Sequence, residues 1–175
     1  MTSQDSTSTT TIPMVGIIMG SDSDLPVMQA AADALKSFGI AYEMTVASAH
    51  RSPEKAANFA ATARDRGLKT IIAGAGHAAH LAGVLAAHTT LPVIGVPIDS
   101  SCLKGWDSLL ATVQMPPGIP VATMAIGKPG ARNAGILAAQ MMAISDADLA
   151  QKLTDFKAKM AEQVEEKARK IENAG

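Results

Sequence analysis

A length of 175 residues fits one domain, and a content of 47% hydrophobic and 18% charged residues is typical of a folded globular chain. Fifteen basic and sixteen acidic residues give a formal net charge of −1, and only 3% of the residues are aromatic. The chain therefore lacks the basic excess that duplexes attract and the rings on which single strands stack, which excludes nucleic acid as the expected partner. An enzyme or a small-molecule binder remains.

The N-terminal segment 1–12 is polar and contains no lysine or arginine, so it does not have the charged start of a signal peptide and predicts a disordered tail. The single cysteine, Cys102, excludes an internal disulfide and fits a reducing compartment. An uncharged run at 70–98 is interrupted by four glycines and two prolines, which favours strand, loop and buried helix over a membrane span. These features predict a cytoplasmic protein without membrane contact.

Short apolar runs alternate with helical patterns from residue 14 to residue 144. Strands are predicted, in chain order, at residues 14–19, 41–47, 69–73, 92–97 and 121–126. Helices are predicted at residues 26–38, at residues 53–67, in the alanine-rich segment after residue 80, and at residues 133–144. Strands that are apolar on both faces indicate a parallel sheet with helices on each side, in a catalytic domain at 13–144. The last of these helices has no charge, so we expect it to be buried all round.

The C-terminal segment 145–175 differs from the rest because it holds 13 of the 31 charged residues. Ser145 is expected to cap a helix of about 28 residues, which at 1.5 Å per residue would span about 40 Å. Its apolar residues, at helical spacing, are Leu149, Leu153, Phe156, Met160 and Val164. Two interpretations stay open: a solvated helix with one packed stripe, or an arm that crosses to a neighbouring subunit. The low charge of residues 1–144 favours an oligomer.

Three unusual loops follow the first three predicted strands, at the edge where open parallel sheets bind ligands. Residues 20–24 (GSDSD) combine a glycine, two hydroxyls and a helix N-terminus, which suits an anion such as phosphate, although capping alone is the alternative. Residues 48–51 (SAHR) place His50 beside Arg51, which suits proton exchange and bidentate phosphate binding. Residues 74–80 (GAGHAAH) form the third loop.

A second class of function fits the third loop. Residues 74–79 match the dinucleotide fingerprint GxGxxG/A, and Asp99 ends the next strand, where a ribose-binding acid would lie. A nicotinamide-dependent oxidoreductase is therefore an alternative, although its fingerprint normally follows the first strand. No metal site is expected, because His77 and His80 lack the glutamate of HExxH and no cysteine pair is present. His88 is expected to be structural.

Five blocks stand in order between residues 14 and 144: GSDSD, SAHR-SP, IIAGAG-x-AAHL, LPVIGVP and VQMPPGIPVAT-x-AIGK. Together they resemble the 5-(carboxyamino)imidazole ribonucleotide mutases, a family of purine-biosynthesis enzymes. The resemblance implies a flavodoxin-like three-layer α/β/α subunit and a homo-octamer with C-terminal helices packed on neighbours. It also implies transfer of a carboxylate from the exocyclic nitrogen to carbon 4 without metal, ATP or organic cofactor. Functional coupling to the ATP-dependent synthetase that makes the substrate is a further expectation.

The resemblance assigns the catalytic role to His50, because one imidazole can protonate the carbamate nitrogen and then take the proton from carbon 4. The expected substrate-binding residues are Ser21, Ser23, Asp24, Ser48, Ala49, Arg51, Gly74, Gly76, His77, Ala78 and His80. Ser21, Ser23 and Arg51 are expected to hold the phosphate. Asp24 is expected to hold the ribose hydroxyls, and the loop at 74–80 to retain CO₂ between the two steps.

This chain departs from the family pattern in the third loop. Members of the family commonly carry glycine where this chain has His77, and Leu-Pro-Gly where it has residues 81–83 (Leu-Ala-Gly). The change His77→Gly is therefore expected to be tolerated. A related enzyme that carboxylates aminoimidazole ribonucleotide directly with CO₂ shares the fold and the histidine, so it stays as a further alternative.

Overall fold

The computed structural model describes residues 12–174, so the tail predicted for 1–12 lies outside the described residues except for its last position. The strands are β1 (Val15–Met19), β2 (Tyr42–Val46), β3 (Thr70–Gly76), β4 (Val93–Ile98) and β5 (Ala122–Thr123). The helices are α1 (Leu25–Ser37), α2 (Pro53–Ala61), α3 (Leu81–His88), α4 (Trp106–Val113), α5 (Lys128–Ala143) and α6 (Ala147–Glu172). A single 3-10 turn at Asp22–Asp24 precedes α1.

All five strands are parallel, and their order across the sheet is β2-β1-β3-β4-β5. The chain moves from β1 outward to β2 and then returns to the other side of β1 for β3, which creates a topological switch point. Met19, the last residue of β1, pairs with both Val46 and Gly74, so the three strands end near the same edge. This order is the flavodoxin-like one, and it confirms the predicted fold class.

Helices cover both faces of the sheet and bury β1 completely. On one face α1, α5 and the first turns of α6 cover Ile17 and Ile72, and on the other face α2 and α3 cover Ile18 and Ile71. Adjacent residues of β1 thus face opposite layers, and neither Ile17 nor Ile18 is exposed. Burial on both faces, in the middle layer of a three-layer sandwich, explains why β1 is a continuous apolar run in the sequence.

Two strand boundaries differ from the prediction. β3 continues to Gly76, because its pairing with β4 runs as far as Gly76 opposite Ile98. A side chain at Gly74 would overlap the sulfur of Met28, so this glycine serves close packing and not a flexible loop. The fifth strand, predicted at 121–126, forms only Ala122–Thr123. Beyond it the chain stays at the sheet edge through isolated hydrogen bonds to β4.

The expectation that the helix predicted at 133–144 is buried all round is wrong for the subunit. α5 begins five residues earlier than predicted, at Lys128, and it carries Arg132 on its exposed side. Its small residues form one buried face against α1, where a side chain at Gly135 would approach the carbonyl oxygen of Ala31 within 2.7 Å. Small residues here permit close contact between the helices rather than indicating burial on every side.

α4 was missing from the prediction because its pattern is inverted. Its exposed side chains are the apolar Trp106 and Leu110, whereas its buried ones are Ser108 and Thr112. Ser108 donates its hydroxyl hydrogen bond to the carbonyl oxygen of Ile98, which satisfies the buried group. Sequence prediction assumes that the apolar residues of a helix face the core of the same subunit. A helix whose apolar residues face outward does not follow that pattern and was therefore not predicted.

Two helix ends also differ from the prediction. α2 ends at Ala61, and residues 62–67 continue as turns to Gly67, whose φ is +92°. At the start of α6 the cap is Asp146, which accepts a hydrogen bond from the N–H of Leu149, and not Ser145. Within the described part of the chain, no helix is both long and apolar enough to span a membrane.

Candidate active site

A cleft with a volume of about 420 Å³ opens where the chain leaves β1, β2 and β3. Its lining residues are Gly20, Ser21, Ser23, Asp24, Ser48, Ala49, His50, Arg51, Ala75, Gly76, His77, Ala78, His80, Leu81 and Ser100. Every residue predicted for the site lines this cleft except Gly74, which lies buried in β3 against Met28. Three loops far apart in sequence therefore meet at the switch point, as the rule for open parallel sheets predicts.

The loop after β1 is held by its own side chains. Ser21 Oγ accepts a hydrogen bond from the N–H of Ser23 at 3.3 Å, and Asp24 Oδ2 accepts one from the N–H of Ser21 at 3.2 Å. The Oγ atoms of Ser21 and Ser23 lie 2.9 Å apart. The loop thus forms a capping box and also faces the cleft, so the two interpretations of this motif are compatible.

Asp24 is the one charged side chain of the cleft that is buried, with 6% of its surface exposed. Burial raises its pKa above the ordinary value, because the charged carboxylate loses hydration. The hydrogen bond from Ser21 and the nearby His77 and Arg51 oppose this effect, whereas Asp22 adds to it. Hydrogen bonds from a ligand's hydroxyl groups would stabilise the charged form of this carboxylate and oppose the effect of burial.

A pH dependence of stability follows from the raised pKa of Asp24. The folded state binds this proton more tightly than the unfolded state, so stability falls as pH rises from 3.8 through the raised folded-state pKa. The neutral variant Asp24→Asn does not undergo this loss. We expect the wild-type free energy of unfolding, minus that of the variant, to decrease across this window in denaturant titrations at a series of pH values. If the difference in free energy of unfolding between wild type and Asp24→Asn did not change with pH, the expectation would be contradicted.

The loop after β2 places His50 and Arg51 at the cleft surface. Ser48 Oγ accepts hydrogen bonds from the N–H groups of both residues, at 3.3 Å and 3.1 Å. Ser52 Oγ in turn accepts one from the N–H of Ser48 at 2.9 Å, which fixes the start of the loop. The Arg51 guanidinium donates to the carbonyl oxygen of Gly20 at 3.2 Å and so links this loop to the first one.

The third loop brings a second histidine to His50. His50 Nε2 and His80 Nδ1 lie 2.8 Å apart, and the two rings meet edge to face with centroids separated by 4.9 Å. A hydrogen bond of this kind needs an N–H on one ring and a lone pair on the other, so one hydrogen lies between the two nitrogens. This hydrogen bond therefore restrains the orientation of the His50 ring. No local pattern indicates this pairing, because the two residues are 30 positions apart in the chain.

Ser100 is a cleft residue that the sequence analysis missed. Its Oγ lies 3.0 Å from His77 Nδ1, and a side chain at Gly76 would overlap it. Ser100 follows β4 by two residues, at the same edge of the sheet as the other loops. The rule that identified the first three loops would have found it if applied to the fourth strand.

An adjoining pocket of about 460 Å³ extends the cleft past Arg51. It shares Gly20, Ser21, Ser48 and Arg51 with the cleft and adds Lys55 from the first turn of α2, another residue missing from the prediction. Neither His77 nor Ser100 lines this pocket. Asp22 also lines this pocket, but the two cations outnumber its one carboxylate. Together with the serine hydroxyl groups they make the pocket suitable for a phosphate group.

Other chemistries find less support in the same region. The glycines of the fingerprint at 74–79 lie in β3 itself, whereas a dinucleotide turn must form between the strand and its helix. Among residues 12–174, no three His, Cys, Asp or Glu side chains are grouped so that they could hold a metal ion. The observed groups are suited to proton transfer and to binding an anionic small molecule.

A doubly wound α/β subunit that gathers a histidine pair and an arginine in a cleft at its switch point has the architecture of a small-molecule enzyme. The sequence model of the AIR carboxylase family matches residues 14–163. The chain therefore belongs to the AIR carboxylase family, and it is an enzyme. This finding confirms the family resemblance that the five sequence blocks indicated.

Individual relatives agree with this assignment. A Thermotoga maritima protein named N5-carboxyaminoimidazole ribonucleotide mutase is 54% identical over 164 residues, which cover 94% of this chain and 95% of that protein. A Saccharomyces cerevisiae protein named phosphoribosylaminoimidazole carboxylase is 54% identical over 163 residues, covering 93% of this chain but 28% of the yeast protein. The crystal structure of Treponema denticola PurE superimposes with a TM-score of 0.81 at 28% identity, over 90% of this chain and 98% of that one.

Proposed function

We propose that this enzyme converts 5-(carboxyamino)imidazole ribonucleotide to 5-amino-4-carboxyimidazole ribonucleotide in purine biosynthesis. The observation that carries the proposal is the hydrogen-bonded pair of His50 and His80 in a cleft whose rim holds Arg51. This isomerisation needs a group that can donate and accept a proton, and it needs a neighbouring cation to bind the phosphate of the substrate. The printed name of the Thermotoga maritima relative, at 54% identity, supports the same reaction.

The phosphate is proposed to bind between the first two loops. Arg51 and Lys55 supply two positive charges there, and the hydroxyl groups of Ser21 and Ser23 lie beside them. Charge-assisted hydrogen bonds of this kind are the strongest available to a phosphate. The buried Asp24 carboxylate is proposed to accept hydrogen bonds from the ribose hydroxyl groups, which would fix the sugar relative to His50.

The chemistry is proposed to proceed in two steps that share one proton. As the bond between the exocyclic nitrogen and the carboxyl carbon breaks, its electron pair stays on nitrogen, which takes a proton from His50. Carbon 4 of the ring then attacks the released CO₂ and passes its own proton back to His50 as the ring regains aromaticity. His80 is proposed to hold His50 in place during both steps, and small residues such as Gly76 and Ala78 to confine the CO₂.

The test is an absorbance assay in which each imidazole ribonucleotide is offered separately, without ATP or nicotinamide cofactor. We expect conversion of 5-(carboxyamino)imidazole ribonucleotide to its 4-carboxylated isomer. Turnover only with aminoimidazole ribonucleotide and bicarbonate would instead support the second candidate, a direct carboxylase, which the yeast relative's printed name favours. Tight binding of a nicotinamide dinucleotide would support the oxidoreductase alternative. The proposal includes a cytoplasmic setting and functional coupling to the synthetase that makes the carbamate.

A homo-oligomer is proposed on the basis of two uncovered apolar stripes, and the number of eight subunits is what the family resemblance implies. α4 exposes Trp106 and Leu110 to 63% and 52%, and the distal part of α6 exposes Val164 and Ile171 to 62% and 76%. The first turns of α6 do pack on the subunit, where the ring of Phe156 meets that of Phe38 edge to face. The helix beyond residue 157 is therefore proposed to be an arm on neighbouring subunits, which would bury both stripes.

A truncation separates the two parts of α6. Ending the chain after Lys157 keeps the contacts of Leu149, Leu153 and Phe156 with the core and removes only the exposed length. We expect the truncated protein to stay folded but to form a smaller assembly, measured by light scattering. An assembly of unchanged subunit number would contradict the arm and leave a solvated helix. A monomeric full-length protein at micromolar concentration would contradict the oligomer itself.

A further inference from the structure

His77 has a backbone conformation that its residue type disfavours. Its φ is +53°, and only one other non-glycine residue of those described, Lys104, shares a positive φ. A side chain in the left-handed region is strained by its Cβ atom, and such strain persists where surrounding contacts hold the residue. Such residues cluster at functional sites, and this one lines the cleft that also contains His50.

The imidazole of His77 is held by one hydrogen bond and presents its other nitrogen. Nδ1 lies 3.0 Å from Ser100 Oγ, and the Ser100 side chain occupies the space that a Cβ atom at Gly76 would need. When the Ser100 hydroxyl donates to Nδ1, the neutral ring carries its hydrogen on Nε2 and is an N–H donor there. The ring is exposed, so this donor is available to a ligand in the cleft.

The place of His77 in the cleft decides which part of a substrate it can meet. Arg51 and Lys55 define the phosphate end, and His77 is absent from the lining of that pocket. His77 instead lines only the cleft, which also contains His50 and His80, and the proposed reaction requires the reacting ring to lie there. The anionic group at that end of the proposed substrate is its carboxyl group.

We propose that His77 binds the substrate's carboxylate through Nε2, with the ring oriented by Ser100, and so adds a contact that glycine at this position cannot make. The inference rests on the proposed function. It makes His77 a determinant of affinity for carboxylated ligands and leaves the proton transfer to His50. Asp24 and Asp107, whose carboxylates lie within electrostatic reach of the ring, disfavour a free anion here. The N–H donor offsets that repulsion for the carboxylate.

The test compares two ligands that differ only in the carboxyl group. Calorimetry measures binding of aminoimidazole ribonucleotide and of its 4-carboxylated form to wild type, His77→Gly and Ser100→Ala. In His77→Gly we expect about a tenfold loss of affinity for the carboxylated ligand, the value of roughly one hydrogen bond to a charged group, and no change for the other. Ser100→Ala should show the same selectivity with a smaller loss. The melting temperature of His77→Gly should stay equal or rise, because glycine relieves the positive φ.

The outcomes separate this inference from the function on which it rests. An equal loss for both ligands, or no loss for either, would overturn the carboxylate contact while the proposed substrate class stands. Failure of both ligands to bind the wild-type protein would overturn the proposed function. In the isomerisation assay, His77→Gly should raise KM about tenfold and keep kcat, since the lost contact is worth roughly one hydrogen bond in both ground and transition states. The fold and the turnover number should thus tolerate glycine, as the family pattern predicts, and only the affinity should fall.

Discussion

Replacing His50 with asparagine should lower turnover at least about 100-fold, the contribution that a positioned acid–base group usually makes. Asparagine keeps a polar side chain of similar reach at the exposed loop position, so the fold, the assembly and much of the ligand affinity should persist. The asparagine amide does not take up or release a proton near neutral pH. The variant therefore lacks the proton exchange proposed for His50 in its pair with His80. Steady-state kinetics of the isomerisation, with calorimetry of product binding, measure the two effects separately.

The matched control for this variant is His88→Asn. His88 is an exposed histidine at the end of α3, and it does not line the cleft. Its replacement should leave both turnover and affinity unchanged. Near-normal turnover in His50→Asn together with its abolition in His77→Gly would transfer the proton shuttle to His77, and the proposed mechanism would be wrong.

Replacing Arg51 with alanine should raise KM about 10- to 100-fold, since a hydrogen bond to a charged group contributes roughly 1.5–3 kcal/mol. The guanidinium stands at the junction of the cleft and the adjoining pocket, where Lys55 alone would remain to neutralise a phosphate. It also ties the second loop to the first through the carbonyl oxygen of Gly20. The loss should therefore appear mainly in binding, with kcat reduced less than in His50→Asn.

A comparison of ligands shows whether the phosphate causes this effect. The product without its phosphate, a nucleoside, should bind wild type and Arg51→Ala with the same affinity, whereas the phosphorylated product should bind the variant more weakly. Arg64→Ala provides the control, because Arg64 is exposed and donates to Thr90 Oγ1 outside the cleft. Equal weakening for nucleoside and nucleotide would show that Arg51 acts through the loop structure and not on the phosphate.

Local pattern in the sequence was enough to predict most strands and the three loops of the site. The run at 14–19 is apolar at every position but one glycine, and β1 indeed faces two helical layers. The polar loops that follow β1, β2 and β3 lie together because parallel strands carry their carboxyl ends to one edge. The placement of Ser21, His50 and His77 in one cleft therefore followed from their positions after the strands.

Features that depend on contacts between distant segments were not predictable in this way. The pairing of His50 with His80 and of His77 with Ser100 arises only when separate loops meet, and no periodicity encodes it. α4 was missed because its buried side chains are polar and its exposed side chains are apolar. A helix on the surface of a monomer has the opposite pattern. Gly74 was assigned to the site, yet its role in the subunit is to let β3 approach Met28.

The sequence by itself determined the family, the parallel α/β architecture and the edge of the sheet that carries the site. These features could be predicted because buried strands, helix starts and polar loops each depend on residues that are close together in the chain. Tertiary structure alone decided the proton partner of His50, the raised pKa of the buried Asp24 and the left-handed backbone of His77. Those properties depend on distances and burial, which arise when segments far apart in the chain are packed against each other.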